Sequence, residues 1–348
     1  MRVSRWFAAQ LETGSFRGYP GAHVLSKAYE AVASTRLARP VTLPARVRVV
    51  GVGSAVLGGA GKTLVAIAYA RRLAQAGMRV SFVGHGYGAH PREARCCEGD
   101  ETVLEIGDDA LLAMRALRPY EVGVWVGKDR NEVLAKAASG VDVIVVDGLL
   151  QTRPCELFRS VLVVDGQVPF GSGACPPLGD LRGSVRSLIG HCDEVVVVRD
   201  VLSKQVGLPT MGEGVQRRQI RTAWIDWTGL RMRGQWYSMG WLEGRRVGLA
   251  TLMAHPERVL ASLRRRGVEP VCVWQGPDHG SVGKPDLAEL LDLSRYYRIE
   301  GWIVTTKCVT HFEKGDVGAP CFCVEVASHL DPDPLPVVDS GPWVPQRL

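Results

Sequence analysis

The chain has nine cysteines in an odd count with no CxxC pair, which argues against both a zinc knuckle and a disulfide framework. Cys96-Cys97 and Cys321/Cys323 stand too close for an ordinary bridge, and Cys272 falls in an apolar run that reads as core. That usage points to a reducing cytoplasm. No window approaches the ~20 apolar residues of a membrane span. The start lacks the long apolar stretch of a secretory signal: after Arg2 and Arg5 the run is only Trp6-Phe7-Ala8-Ala9. There is no internal repeat, no low-complexity tract and no recognisable nucleic-acid motif.

Acidic side chains are scarce at the front. Residues 1–50 hold eight basic groups against Glu12 and Glu30 alone, which accounts for the whole net charge of +6. Trp6, Phe7, Phe16 and Tyr19 are interleaved with them. A basic, aromatic lead-in suits an anionic membrane surface or an anionic substrate; it is equally what a solvated helix would carry. The 348 residues suffice for about two domains.

What is present begins with residues 47–66, an apolar strand running into Gly58-Gly59-Ala60-Gly61-Lys62-Thr63 and on into an apolar helix. Strand, glycine loop and helix in that order make a phosphate-binding loop. The glycines let backbone N–H groups turn inward on phosphate oxygens, and the helix N-terminus adds a favourable dipole. Lys62 is expected to reach the β- and γ-phosphates of ATP and Thr63 to sit on Mg²⁺. Val56, Leu57, Gly58, Gly59, Ala60 and Gly61 complete the expected ATP-binding loop; with Val56 where the strict pattern has glycine, it is the GGxGKT variant.

Short Val-rich runs alternate with helical patterns up to about residue 203. Strands are expected at Val47–Val52, Arg79–Val83, Val122–Val126, Val141–Val146, Val161–Val164 and Glu194–Val198. Helices are expected at Lys62–Ala76, Asp108–Leu117, Asp129–Ala138 and Leu181–Gly190. This is an α/β pattern: a P-loop NTPase parallel sheet covered by helices on both faces, binding ligand at its strand C-termini. Residues 204–222 are polar and without period; two Trp-rich extended segments around Gly234 then read as a hairpin or linker. A second alternating set follows from Val247. The expected organisation is a basic lead-in (1–45), a kinase core (46–203), a linker (204–245) and a smaller α/β lid domain (246–348).

The strand at Val141–Val146 ends in Asp147-Gly148, and a carboxylate there suits Mg²⁺ beside a phosphate loop. Asp108 and Asp109 open a helix. Spacing alone favours a cap and first-turn role for them, with general base and metal contact as the alternative. His279 follows a strand of the second set and is able to relay a proton near neutral pH; alone, a loop histidine carries little weight. Tyr87, in a glycine turn after the second strand, either faces a ligand or packs.

Taken together, these segments resemble the tetraacyldisaccharide 4'-kinases of the lipid A pathway. That family's GNLTVGGTGKTP-like loop is similar to Gly53–Leu64 here, its SRGYG to Gly84-His85-Gly86-Tyr87-Gly88, and its VGDEPxLL to the stretch from Ile106 to Leu112. Its GRDR stands as Gly127-Lys128-Asp129-Arg130, its DDGxQ as Asp147-Gly148-Leu149-Leu150-Gln151, and its FGNGxLLPAGPLRE as Phe170–Gly183. Its NPxRF, FPDHH and VTTEKD are similar to the segments at His255, Pro277-Asp278-His279 and Val304–Cys308. The resemblance implies ATP- and Mg²⁺-dependent phosphorylation of the 4'-hydroxyl of a lipid A disaccharide precursor at the cytoplasmic face of the inner membrane. It implies that Asp108 and His279 act together on the acceptor hydroxyl, with Thr63, Asp147 and Asp109 around the metal and Tyr87, Arg130 and Gln151 on the substrate side. No nucleic-acid partner is expected.

The departures bear on turnover and not on fold. The family's paired aspartates are reduced to Asp147, with Val146 or Gly148 at the other place according to register. The LRE glutamate is Gly183 and the RGYG arginine is His85. These three departures are the ones that bear on metal binding and turnover; beside them the GDE glutamate is Asp109. Two other functions share the loop: a GGxGKT ATPase switch, which usually carries a lysine where Leu57 stands, and a kinase-fold protein with weakened catalysis.

Overall fold

A computed structural model describes residues 11, 15–84, 86, 89, 91, 93–203, 218–253, 256–276, 282–306, 308–312 and 315–333. In chain order these form α1 (Ala22–Thr35), β1 (Ala38–Arg39), β2 (Arg48–Ser54), α2 (Lys62–Gln75), β3 (Val80–Val83), β4 (Arg95–Cys96), α3 (Val103–Ile106) and α4 (Asp108–Leu117). Then come β5 (Gly123–Val126), α5 (Arg130–Ala137), β6 (Val143–Asp147), β7 (Gln151–Thr152), β8 (Arg159–Asp165), α6 (Val185–Gly190) and β9 (Glu194–Asp200). The remainder is β10 (Gln219–Met232), β11 (Gln235–Tyr237), β12 (Val247–Thr251), α7 (Pro256–Arg265), β13 (Cys272–Gln275), α8 (Lys284–Tyr297), β14 (Gly301–Thr305) and β15 (Cys321–Asp331).

Two compact units divide the described residues: 11–199 with 218–224 and 328–333, and 225–327 with 200–203. Boundaries fall inside β9, β10 and β15.

In the larger unit the strands run β9-β8-β2-β6-β3-β5-β4, parallel except for the antiparallel edge strand β4. Period-2 alternation sends neighbouring side chains to opposite faces. On β6, Val143 and Val145 join the core beneath α2 and α4, while Ile144 and Val146 join the core beneath α5. On β2, Val50 and Val52 take the first face and Val49 the second, with Val47 just before the strand on that second face. Asp147, two residues after Val145, therefore emerges on the α2 face. A buried ionic cluster seats α2 lower down: the Tyr69 hydroxyl donates to Glu194, which also pairs with Arg159 Nη1 at 3.0 Å and Arg221 Nε at 2.8 Å. Burial, then the Glu194 charge, pushes the Tyr69 phenol well above its ordinary pKa. Removing one partner of such a buried set costs about 3–5 kcal/mol.

In the smaller unit β13, β12, β14 and β15 are parallel, β10 follows β15 in the order, and β11 pairs antiparallel with β10. Leu249 and Ile303 face one core with Val259 and Leu263 of α7; Ala250 and Trp302 face another with Leu290 of α8. The hairpin expected around Gly234 is the β10–β11 pair, but β10 begins at Gln219, inside the stretch read as polar and aperiodic. All nine cysteines are free thiols, and Cys272 is half-buried, not core. Among the described residues no helix is long and apolar enough to cross a membrane.

Candidate active site

The site begins at the C-terminal ends of β2 and β6. Their register pairs Val52 with Asp147, so the carboxylate that ends β6 lies beside the strand that feeds the phosphate loop. The loop turns through Gly58 and Gly59 (φ 118° and 58°) to Gly61, which caps α2 at φ 80°. A side chain at Gly61 would be strained in this left-handed conformation, and its Cβ would come 3.3 Å from Val198 Cγ1. Val56 and Ala60 are buried, whereas Leu57 is exposed.

Residues 180–182 brace the first half of the loop. Val56 bridges Leu181, Leu57 N donates to Asp180 O at 2.8 Å, and Arg182 N donates to Ala55 O at 2.9 Å. The Arg182 guanidinium reaches the same loop: Nε donates to Val56 O at 2.8 Å and Ser54 Oγ at 3.2 Å.

At the head of α2, Thr63 Oγ1 donates to Asp147 Oδ2 at 2.7 Å. Lys62 Nζ lies 3.2 Å from Asp147 Oδ1, 3.6 Å from Asp109 Oδ2 and 3.3 Å from Thr63 Oγ1. The structure thus brings together Lys62, Thr63, Asp109 and Asp147 around one ammonium. Asp147 is fully buried, and its Oδ1 accepts no aligned hydrogen bond although Lys62 stands within ion-pair distance. A buried carboxylate oxygen with lone pairs to spare, beside a hydroxyl, is a hard-oxygen donor set that fits Mg²⁺. No three acidic, histidine or cysteine side chains converge among the described residues. Mg²⁺ needs no such cage: one or two carboxylates, water and substrate phosphates suffice.

The cap favoured by spacing at Asp108 is not what forms. Gly107, at φ 84° and ψ 158°, holds the N-cap position of α4, and Asp108 and Asp109 are its first two residues. Asp108 Oδ1 accepts from Asp109 N at 2.8 Å, and both aspartates are buried. Short polar side chains at a helix start meet the exposed N–H groups and dipole of the first turn.

On the far side of Asp147, Arg130 opens α5, and its Nη1 donates to Gly148 O at 3.2 Å. Gln151 lies in β7 with a buried side chain: Nε2 donates to Ser160 Oγ at 3.4 Å and Oε1 accepts from Thr152 N at 2.9 Å. Tyr87 and His279 lie outside the described residues.

The family model for tetraacyldisaccharide-1-P 4'-kinase, LpxK, matches residues 22–334. The chain belongs to the LpxK family. It is 33% identical over 275 residues to a tetraacyldisaccharide 4'-kinase of Anaeromyxobacter sp. (strain K), covering 74% of this chain and 70% of that protein. It is 31% identical over 253 residues to one from Paramagnetospirillum magneticum, covering 70% and 71%. The fold is similar to that of an LpxK from Aquifex aeolicus crystallised in complex with ATP, at a TM-score of 0.63 and 18% identity over 92% of this chain and 96% of that one.

Two departures from the LpxK motifs gain a physical reading. The second aspartate of the family's pair has two positions open to it by sequence. Val146 points into the apolar core under α5, where a carboxylate would lack a partner. Gly148, with its N–H on Val52 O at 2.8 Å, turns at φ 79°, a left-handed conformation that favours glycine, so neither place suits a second carboxylate in this chain. At Gly183, an added Cβ would stand 3.0 Å from Leu37 Cδ1, so the loss of the LpxK glutamate goes with close packing of Leu37. Arg182 was missed as a site residue. Its one sequence signal was membership of the LRE-like segment, since its partners lie more than 120 residues upstream.

Proposed function

We propose that this chain transfers the γ-phosphoryl group of ATP to the 4'-hydroxyl of a tetraacyldisaccharide 1-phosphate. The observation that carries the reading is the Lys62–Thr63–Asp147 constellation at the strand C-termini, in a chain of the LpxK family. Phosphoryl transfer asks little covalent chemistry of a protein; it asks for positioning and for charge stabilisation. The loop amides after Gly58 and the N-terminus of α2 cradle the phosphates. Lys62 supplies the positive charge for the transferring phosphoryl, and Asp147 and Asp109 keep its ammonium at the head of α2. Thr63 and Asp147 would hold Mg²⁺, with Asp109 beside them; the ion would supply positive charge against the phosphates.

A sugar hydroxyl is a poor nucleophile, so a carboxylate base near it, assisted by His, is chemically sensible. Asp108 is our assignment for that base, assisted by His279. Arg130 supports the acceptor side.

The acceptor is a lipid, and α1 supplies a surface for it. Val24, Leu25 and Val32 are 72%, 62% and 53% exposed, with Tyr19 at 61% just before the helix. An apolar face among basic residues suits peripheral attachment to an anionic membrane, here the cytoplasmic face of the inner membrane.

The test is transfer of labelled γ-phosphate from ATP to a tetraacyldisaccharide 1-phosphate in mixed micelles, with Lys62→Ala alongside. Acceptor-dependent product from the natural chain and none from the folded variant is the expected result. ATP hydrolysis indifferent to the lipid would refute the reading and favour an ATPase switch.

A further inference from the structure

We propose that Arg39, together with Arg130, clamps the 1-phosphate of the acceptor and so makes the enzyme select a phosphorylated disaccharide over an unphosphorylated one. This rests on the kinase reading above. Arg39 belongs to no motif of the sequence; its place follows from the two-residue strand β1, which pairs in parallel with β7, Ala38 opposite Gln151 and Arg39 opposite Thr152. The backbone is pinned there. Arg39 O accepts from Val41 N at 2.8 Å and from Arg153 N at 2.7 Å. Ala38 turns inward and Arg39 outward.

Neither guanidinium stands in a close ion pair among the described residues, unlike three other arginines of this unit. Arg95, Arg159 and Arg221 each pair with a glutamate. Among the described residues neither Arg39 nor Arg130 has a carboxylate within 4.0 Å, and Arg130 is tied only to the carbonyl of Gly148. Arg153 is already engaged, its Nη2 donating to Thr35 O at 2.8 Å. Burial first, and then the charge of Arg39, lower the hold of Arg130 on its proton, so the two cations bear on one another. Guanidinium keeps its proton nonetheless. The charge of Asp147 acts on Arg130 in the opposite sense and offsets part of this repulsion; a phosphate dianion takes two planar forks at once.

Thr63 bonds Asp147, Gly148 follows and anchors Arg130, and Arg39 pairs opposite Thr152 on β7, three residues after Leu149. A disaccharide that offers its 4'-hydroxyl to the loop carries its 1-phosphate at the opposite end.

A phosphate of the nucleotide is the competing source of the anion, and two acceptors tell the sources apart. The experiment measures kcat/KM for tetraacyldisaccharide 1-phosphate and for the same disaccharide lacking the phosphate, with natural chain, Arg39→Gln and Arg39→Lys, after thermal unfolding has verified each fold. Loss of one charge-assisted contact lowers the ratio of the two specificities by about tenfold in Arg39→Gln, through the KM for the acceptor. Arg39→Lys, keeping charge without the fork, recovers part of the ratio. An unchanged ratio, or an equal loss on both acceptors with a raised KM for ATP, would overturn the inference while leaving the kinase reading intact. Failure of the natural chain to phosphorylate either acceptor would instead overturn the kinase reading, and the clamp with it.

Discussion

Replacing Asp147 by asparagine tests the centre of the site, because it removes a charge while keeping the shape. In the folded chain this fully buried carboxylate accepts from Thr63 at 2.7 Å and faces Lys62 at 3.2 Å. The amide oxygen of asparagine still serves Thr63. The ammonium of Lys62 keeps Asp109, 3.6 Å away, and is partly solvated. The folding cost therefore stays near the lower end for a lost charge-assisted hydrogen bond, about 1.5 kcal/mol. A loss of that size lowers Tm by roughly 3–6 °C in a domain of this class. The functional cost is larger. Charge at the metal position is what asparagine fails to supply, so the Mg²⁺ concentration for half-maximal rate is expected to rise by about 10–100-fold. Turnover at saturating Mg²⁺ is expected to fall by about 10²–10³, the usual effect of one lost electrostatic group at a reacting phosphoryl or acyl centre. Transfer from labelled ATP, measured across a Mg²⁺ titration and set beside a thermal melt, reads both quantities. Near-normal turnover with an unchanged Mg²⁺ requirement would refute the metal assignment and leave Asp147 as a structural partner of Thr63.

Asp108→Ala is expected to lower kcat by about 10²–10⁴ with little change in ATP affinity, as for a lost base; equal losses in kcat and ATP binding would instead mark it as a helix-start residue. Val24→Asp with Leu25→Asp is expected to weaken sedimentation with vesicles of anionic lipid while the melt is unchanged, and unaltered sedimentation would place the lipid-facing surface elsewhere. Burial, with help from Glu101, raises the Cys97 thiol to about 12, and burial does the same for Cys192 and Cys321, so these stay protonated at pH 8. Iodoacetamide at that pH is expected to label exposed Cys155 first; mass spectrometry showing early modification of Cys192 would contradict its burial.

Much of the larger unit was legible because valine alternation and strand ends are local signals. The α4 boundaries, Asp108–Leu117, match expectation, as does the start of α2 at Lys62. Asp147 could be found because it ends a strand of unbroken apolar residues. Non-local choices escaped. The helix expected from Leu181 starts at Val185, because Leu181 is committed to Val56 across the loop and Ser184 accepts from Ser187 N at 3.1 Å to begin the helix later. Strand β10 lacks a clean period in its polar beginning, and its neighbour β15 lies about a hundred residues on. The brace by Arg182 and the place of Arg39 depend on the same kind of distant pairing, which a single chain read from end to end does not display.

The stitching of residues 55–57 to residues 180–182 sets how nucleotide capture is apportioned between order and disorder. A free glycine loop surrenders its conformational entropy when phosphate arrives, at about 1–2 kcal/mol for each residue fixed. Here that loss was incurred on folding, through three backbone or side-chain bonds to Ala55, Val56 and Leu57. Heat released on ATP binding should then come mainly from contacts and little from ordering, and amide exchange at Leu57 should be slow whether or not nucleotide is present.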